Sequence, residues 1–266
     1  MSLSFTSESR LYRKNVEEES TLKILISSFR YLRALDLYGL NIVTVPNSID
    51  KLTYLKYLDF SWSDIEILPS SIIRLVNLQT LKLSRCTNLK ELPRDIQKLV
   101  SLKHLVIDNC HGLNHMPCGL GQMTYLQTLP LFVISKDRAT SSSKRCGGLA
   151  VLNKLNNLRG ELRIENLSWV KDATLESKAA NLKEKRHLRV LELIWNCEDI
   201  NGSDVHDAEN LLEGLHPHHT LKMLYVRGYQ GVRFSSWLPS LTSLAKLKIS
   251  QSMCQYLPPL YQLPSL

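Results

Sequence analysis

The pattern L-x-x-L-x-L returns at Leu32-Leu35-Leu37, Leu55-Leu58-Phe60, Leu78-Leu81-Leu83, Leu102-Leu105-Ile107 and Leu126-Leu129-Leu131, in steps of 23, 23, 24 and 24 residues. It comes back at Leu188-Leu191-Leu193, Leu221-Leu224-Val226 and Leu244-Leu247-Ile249, with a copy stretched by one residue at Leu158-Leu162-Ile164 around Gly160. A unit this short cannot enclose a core of its own. Each coil must bury its apolar edge against the coils before and after it, so stability accumulates by nearest-neighbour stacking.

A period within 20–29 residues carrying this motif is the leucine-rich-repeat signature. It predicts an α/β leucine-rich-repeat solenoid, a horseshoe with a parallel β-sheet on the concave face and irregular or short helical convex segments. Nine coils at about 4.8 Å per strand give a sheet on the order of 40 Å long. Past the strand, an apolar residue precedes proline at Val45-Pro46, Leu68-Pro69, Leu92-Pro93, Met116-Pro117 and Leu257-Pro258. Proline lacks an N–H and fixes φ, which suits a return segment and excludes it from the ladder. Three residues beyond the proline stands Ile49, Ile72, Ile96 or Leu120, and pairs such as Ile49-Leu52 and Ile96-Leu99 lead the chain back to the core. Cys86 and Cys110 lie eight residues after their coil's first leucine, the slot from which a side chain satisfies buried backbone; Ser63, Asn196 and Ser252 occupy the same slot.

Regularity fails after Leu126. The next step is 32 residues and contains SKDRATSSSKRCGG, residues 135–148, expected to be an exposed mobile loop. The following steps of 30 and 33 predict helical insertions. Asp172 is placed as the cap of one, with Leu175, Ala179 and Leu182 inward and the basic run Lys183 to Arg186 at its end. Asp204 starts the second, with Val205, Ala208, Leu212 and Leu215 inward and Pro217 ending it. The expected organisation is an N-terminal partial repeat or degenerate cap over 1–28, regular coils over 29–134, a loop insertion over 135–157, irregular coils with helical insertions over 158–220, and truncated C-terminal coils over 221–266. Neither end shows a clear cap, and Leu266 stands where another coil would begin, so a fragment or a truncated gene product is expected.

Composition narrows the partners. No apolar run approaches the roughly 18–20 residues of a membrane helix, and the opening MSLSFTSESRLYRKN has no apolar signal-peptide core. A cytoplasmic, or nucleocytoplasmic, location is therefore expected, with the six cysteines as thiols and the sequons at Asn166 and Asn201 as chance matches. The net charge of +8 is spread between repeat leucines instead of forming a dense block, which points away from nucleic acid. Cys110, His111, His115 and Cys118 could be imagined as a zinc set, but the repeat already explains that span. His216, His218 and His219 lack a cysteine or carboxylate at ligand spacing, and Cys146 beside Lys144 and Arg145 has no base or oxyanion site. No catalytic or metal constellation is expected, and the chain is read as a non-enzyme.

The strings LQTLPLFVIS (126–135), LNNLRGELRIENL (155–167), ANLKEKRHLRVLELIWN (180–196) and LLEGLHPHHTLKMLYVRGYQGVRFSSWL (211–238) resemble, in order, the repeat region of plant coiled-coil-type nucleotide-binding leucine-rich-repeat (NBS-LRR, NLR) disease resistance proteins of the RGA-like kind. The resemblance covers essentially residues 22–266. It implies the repeat domain of an intracellular immune receptor that senses pathogen effectors, directly or through a guarded host protein, and restrains an ATP/ADP-switched module. The sequence departs from a complete member: it has no G-x-x-x-x-G-K-[ST] phosphate loop and no M-H-D motif, so ADP or ATP is expected only in a nucleotide-binding domain of a full-length parent. Two alternatives stand beside this one. A Ras-group-type cytosolic scaffold would keep near-uniform 23-residue coils with Asn in the turn slot, and the ligand-binding part of a cell-surface receptor would carry glycans at Asn166 and Asn201.

Between inward leucines, alternate positions face the concave side. The position between second and third apolar residues contributes Asp36, Asp59, Lys82, Arg163, Glu192, Tyr225 and Lys248 to the candidate protein-binding face. Positions after the strand add Tyr38, Trp62, Arg85, Asp108, Phe132, Trp195 and Arg227, and the position just before the second apolar residue adds Tyr57, His104 and Lys246. Aromatics and arginines on a polar sheet are what protein interfaces enrich. For any one residue a solvated face is the commoner explanation, whereas for the face as a whole binding is favoured.

Overall fold

The computed structural model describes residues 2–4, 18–136, 148–196, 205–261 and 263. Asp204, Asn201, Cys146, Leu266 and most of the polar loop 135–148 lie outside them. The chain forms two compact units, Met1–Leu129 and Pro130–Leu266.

In the first unit, strands β1 (Ser2–Ser4), β2 (Ala34–Asp36), β3 (Tyr57–Asp59), β4 (Thr80–Lys82) and β5 (His104–Val106) pair in parallel, in sequence order. The repeat sets the register. Leu35, Leu58, Leu81 and Leu105 stand opposite one another, each at most 1% exposed. Truncating one such leucine to alanine costs roughly 2–5 kcal/mol.

Each strand leaves through a proline whose carbonyl accepts from the amide of the apolar residue three positions on. The bonds are Ile49 to Pro46 (3.0 Å), Ile72 to Pro69 (3.0 Å), Ile96 to Pro93 (3.1 Å) and Leu120 to Pro117 (3.1 Å). The next amide in the series then bonds back in the same i→i+3 fashion, as Leu52 to Ile49 and Leu99 to Ile96. Proline thus supplies the extended φ that starts a 3-10 turn, at Asn47–Lys51, Ser70–Arg74 and Cys118–Gln122.

The cysteine slot is structural. Cys86 Sγ donates to Phe60 O at 3.3 Å and Cys110 Sγ to Leu83 O at 3.0 Å, each reaching into the preceding coil. Burial pushes their thiols up to about 11 and about 12. Ser63, in the same slot, departs from this pattern: its buried hydroxyl has no partner among the described residues. Cys118 also departs from the expected free thiols, being disulfide-bonded.

The edge of β2 is covered by the segment for which a partial repeat or degenerate cap was expected. β1 pairs with it, and helix α1 (Glu18–Ser28) buries Leu22, Leu25 and Ile26.

In the second unit, β6 (Leu131–Val133), β7 (Gly160–Glu165), β8 (Leu188–Ile194), β9 (Met223–Arg227) and β10 (Lys246–Ser250) form another parallel sheet. The stretched copy appears as a register shift between Gly160 and Glu161, with Gly160 at φ +76°, where a glycine meets no steric cost. Helices α2 (Ala173–Ala179) and α3 (Val205–Gly214) fill the two long insertions. Asp172 caps α2 as expected, accepting from the amide of Leu175 at 2.9 Å. The inward face differs: Leu175 is 48% exposed, and Ala173, Ser177 and Ala180 are buried instead. α2 stops at Ala179, because Asn181 turns left-handed at φ +52°, so the basic run 183–186 lies beyond the helix. In α3, Ala208, Leu211 and Leu212 face the core, with Leu215 just beyond it, while Val205 is exposed. The two helices pack so closely that a Cβ on Gly214 would collide with the Ser177 hydroxyl.

Candidate functional site

The exposed face of the first sheet carries three linked groups. Tyr57 Oη donates to Asp59 Oδ2 at 2.8 Å, the amide of Ser61 donates to Asp59 Oδ1 at 2.8 Å, and Lys82 Nζ lies 3.6 Å from the same carboxylate. The Lys82 ammonium also sits 5.4 Å from the Tyr57 ring centroid. Burial and the hydrogen bond to Asp59 raise the Tyr57 hydroxyl. At Lys82, burial works downward but is outweighed by Tyr57 and Asp59, so its ammonium is held more firmly than usual.

Beside this triad, the Arg85 guanidinium lies 4.6 Å over the Trp62 ring. Both residues are exposed, and both have positive φ, 63° at Trp62 and 59° at Arg85. The neighbouring coils place Gly39 and Asn109 at the corresponding position, again with positive φ. Small or amide residues suit that conformation, whereas it costs a bulky residue roughly 1–2 kcal/mol. Just beyond β4 and β5, Ser84 Oγ donates to Asp108 Oδ1 at 2.5 Å, and on β5 His104 Nδ1 lies 2.9 Å from Thr128 Oγ1. Asp36 accepts from the amide of Tyr38 at 3.1 Å, and Tyr38 itself is exposed.

On the second sheet, Arg163 Nε pairs with Glu192 Oε2 at 2.7 Å, and the same guanidinium reaches Glu165 at 3.7 Å. Lys246 Nζ lies 5.5 Å from the Tyr225 ring centroid, Arg227 Nε donates to Gln251 Oε1 at 2.7 Å, and Lys248 is exposed.

Three predicted face residues are buried. Asp59 is only 4% exposed, roofed by Tyr57 and Lys82. Phe132 is fully buried: β6 pairs so that Phe132 stands opposite the inward Ile164, and Pro130 donates no amide to the ladder. A one-residue difference in register moves a side chain to the other face. Trp195 is buried because the chain does not turn left-handed there, so the alternation of β8 continues inward through Leu191, Leu193 and the indole.

Residues 149–266 match the family described as R13L1/DRL21 LRRs, and residues 77–99 match the Leucine Rich Repeat family. Disease resistance protein RGA2 of Solanum bulbocastanum is 46% identical over 91% of this chain and 24% of its own length. A disease resistance protein of Arabidopsis thaliana is 39% identical over 93% of this chain and 17% of its own length. The chain is a leucine-rich-repeat region related to RGA-type plant disease resistance proteins. A leucine-rich-repeat protein of Leptospira interrogans superposes with a TM-score of 0.44 at 19% identity, covering 88% of this chain and 71% of that one. The leucine-rich-repeat region spans less than a quarter of the two plant relatives just named.

Some of its organising residues were not singled out by spacing. Lys185 is fully buried and donates to Leu152 O at 2.8 Å and Asn156 Oδ1 at 3.2 Å, tying two coils together. Burial lowers its ammonium to about 8. Asn166 is also buried, at φ +66°; its amide donates to Ile134 O at 3.1 Å and its carbonyl oxygen accepts from Asn196. That side chain has no room for a glycan, which removes one of the two sequons a cell-surface repeat region would use. An aromatic cluster of Trp195, Tyr229, Phe234 and Trp237 completes the second core, with successive ring centroids 5.2–6.0 Å apart. Among the described residues no helix is long and apolar enough to cross a membrane.

Proposed function

We propose that this leucine-rich-repeat region is the non-catalytic protein-recognition part of an intracellular plant immune receptor, meeting its partner through the exposed sheet faces. The observation that carries the proposal is the Trp62–Arg85 pair. A tryptophan and an arginine occupy left-handed positions that neighbouring coils give to glycine and asparagine, at a cost to folding, and both side chains remain exposed rather than packing into the core. Strain kept at an exposed aromatic–arginine pair fits a binding hot spot. The relatives, named as disease resistance proteins, supply the biological setting.

Two partners fit: a pathogen effector or guarded host protein, and the nucleotide-binding module of the same receptor type, whose restraint the repeats would maintain. ADP or ATP belongs to that module. The cytoplasm is the compartment proposed for both encounters. Asp59 is a poor place to test the contact, since reversing its charge removes the supports of Tyr57, Ser61 and Lys82 together. The informative experiment measures association of the chain with a nucleotide-binding module of an RGA-type protein, with Trp62→Ala and Arg85→Ala as variants. Each is expected to weaken binding at least about tenfold, as hot-spot truncations do, with circular dichroism unchanged. Undiminished affinity in both variants refutes the assignment of this face.

A further inference from the structure

We propose that the second unit carries a separate anion site, a cleft of about 660 Å³ at the entries to β8, β9 and β10, built to take a phosphate dianion. One wall is the turn entering β8, with Lys183, Arg186, His187 and Arg189; the other is the turn entering β9, with His216, His218 and His219. Glu184 is the single carboxylate in the lining.

The charge is uncompensated. Some exposed basic residues find acids, as in Arg74–Asp50, Lys90–Glu66 and Lys98–Asp95. Lys183 and Arg186 are exposed, and their side chains make neither an ion pair nor a hydrogen bond among the described residues. Two unpaired cations facing one cleft match the charge of one phosphate dianion, and the volume leaves room for the organic group that bears it.

The walls are fixed. Arg189 Nη1 donates to Arg186 O at 3.3 Å and Thr220 O at 3.2 Å, clamping the two turns together. His216 stacks on Trp237 at 5.7 Å with 7° between planes. Ser240 Oγ spends its proton on Trp237 O at 2.6 Å, so it accepts from His216 Nε2 at 3.2 Å. His218 Nδ1 lies 2.9 Å from Thr220 Oγ1, whose own proton goes to Arg186 O at 2.9 Å.

The imidazoles register the local field. Burial and then Lys183 lower His216, against an opposing Glu213. Burial, His219, Arg186 and Arg189 lower His218, against Glu184. Such surroundings repel a metal cation, and no three His, Cys, Asp or Glu side chains converge as metal ligands among the described residues. An anion opposes that field, so its binding draws protons onto His216 and His218.

Calorimetry and histidine NMR on the full chain test the site with three probes: inorganic phosphate, a phosphoserine peptide and the same peptide unphosphorylated. Saturable binding of the phosphate-bearing probes alone is expected, with proton uptake. Lys183→Gln combined with Arg186→Gln should weaken it roughly tenfold, each exposed contact being worth up to about fivefold, while Lys154→Gln leaves it unchanged. A phosphopeptide that outcompetes inorganic phosphate assigns the ligand to a phosphorylated protein; equal affinities assign it to small phosphate compounds. Equal binding of the unphosphorylated peptide, an unaffected double variant, or unmoved His216 and His218 titrations would overturn the proposal.

Discussion

Replacing Lys185 with methionine should change the pH dependence of stability more than stability itself. The ammonium is buried without a carboxylate, supported by Leu152 O and Asn156 Oδ1, and its pKa falls from 10.5 to about 8. The unfolded chain then holds the proton more tightly than the folded one, so folding is favoured as pH rises: the stabilisation is complete above the unfolded value and is lost as pH falls through about 8. The full shift corresponds to about 3 kcal/mol, of which about 1 kcal/mol is recovered between pH 7 and pH 9. Within that window Cys86 and Cys110, whose thiols burial raises from 9.0 to about 11 and about 12, begin to lower the stability of parent and variant alike, so the difference between the two proteins isolates Lys185; the lowered histidines act below it. Methionine keeps the apolar stem but leaves two acceptors unpaired, at roughly 1–3 kcal/mol, which nearly cancels the relief of the buried charge at pH 7. Urea unfolding followed by tryptophan fluorescence measures this, in a Trp62→Phe background so that Trp169, Trp195 and Trp237 report the second unit. The methionine variant should match the parent at pH 7 and fall behind by about 1 kcal/mol at pH 9. A difference that stays constant across that range refutes a buried, depressed lysine.

Gly214→Ala should cost about 1–3 kcal/mol, visible as a lower urea midpoint, because the new methyl meets Ser177 where α2 and α3 touch. Arg85→Gly should raise the unfolding free energy by roughly 0.5–1 kcal/mol by relieving a positive φ, while weakening partner binding; a loss of stability would show that the strain is absent. Cys110→Val leaves Leu83 O unpaired and should cost roughly 1–3 kcal/mol, whereas Cys110→Ser should recover part of that if the hydroxyl reaches the carbonyl. When the chain is routed through a secretory pathway, mass spectrometry should find Asn166 without a glycan, since its amide is committed to Ile134 O.

The regular coils were legible because one spacing encodes several bonds at once. The leucine columns set the strand register, and the Pro-x-x-Ile step reports a carbonyl-to-amide turn that recurs at Pro46, Pro69, Pro93 and Pro117. The insertions were legible only as helices. Asp172 announced its cap, but a period of 3.6 cannot foresee that Asn181 ends α2 early or that Ser177, not Leu175, meets Gly214. Lys185 escaped notice for the same reason: in KEKR it looks like one more solvated charge, and only the neighbouring coil's Leu152 carbonyl makes it interior.

The candidate face was legible wherever the chain turns left-handed on time. Gly39, Trp62, Arg85 and Asn109 in one unit, and Asn166, Gly228 and Gln251 in the other, all take positive φ at the same step after the strand. That turn ends the in–out alternation, so the side chains beyond it no longer follow the period of two. Trp195 occupies the same step without the turn, and the alternation carries its indole into the core against Tyr229. Sequence spacing treats Trp62 and Trp195 alike, yet their opposite fates depend on one backbone angle. Glycine or asparagine at the step signals the turn directly; tryptophan and arginine do not, because they adopt it against their own preference. The residues hardest to place from sequence are therefore the same ones whose strain marks them for recognition, and the Trp62–Arg85 pair stands out only once φ is known.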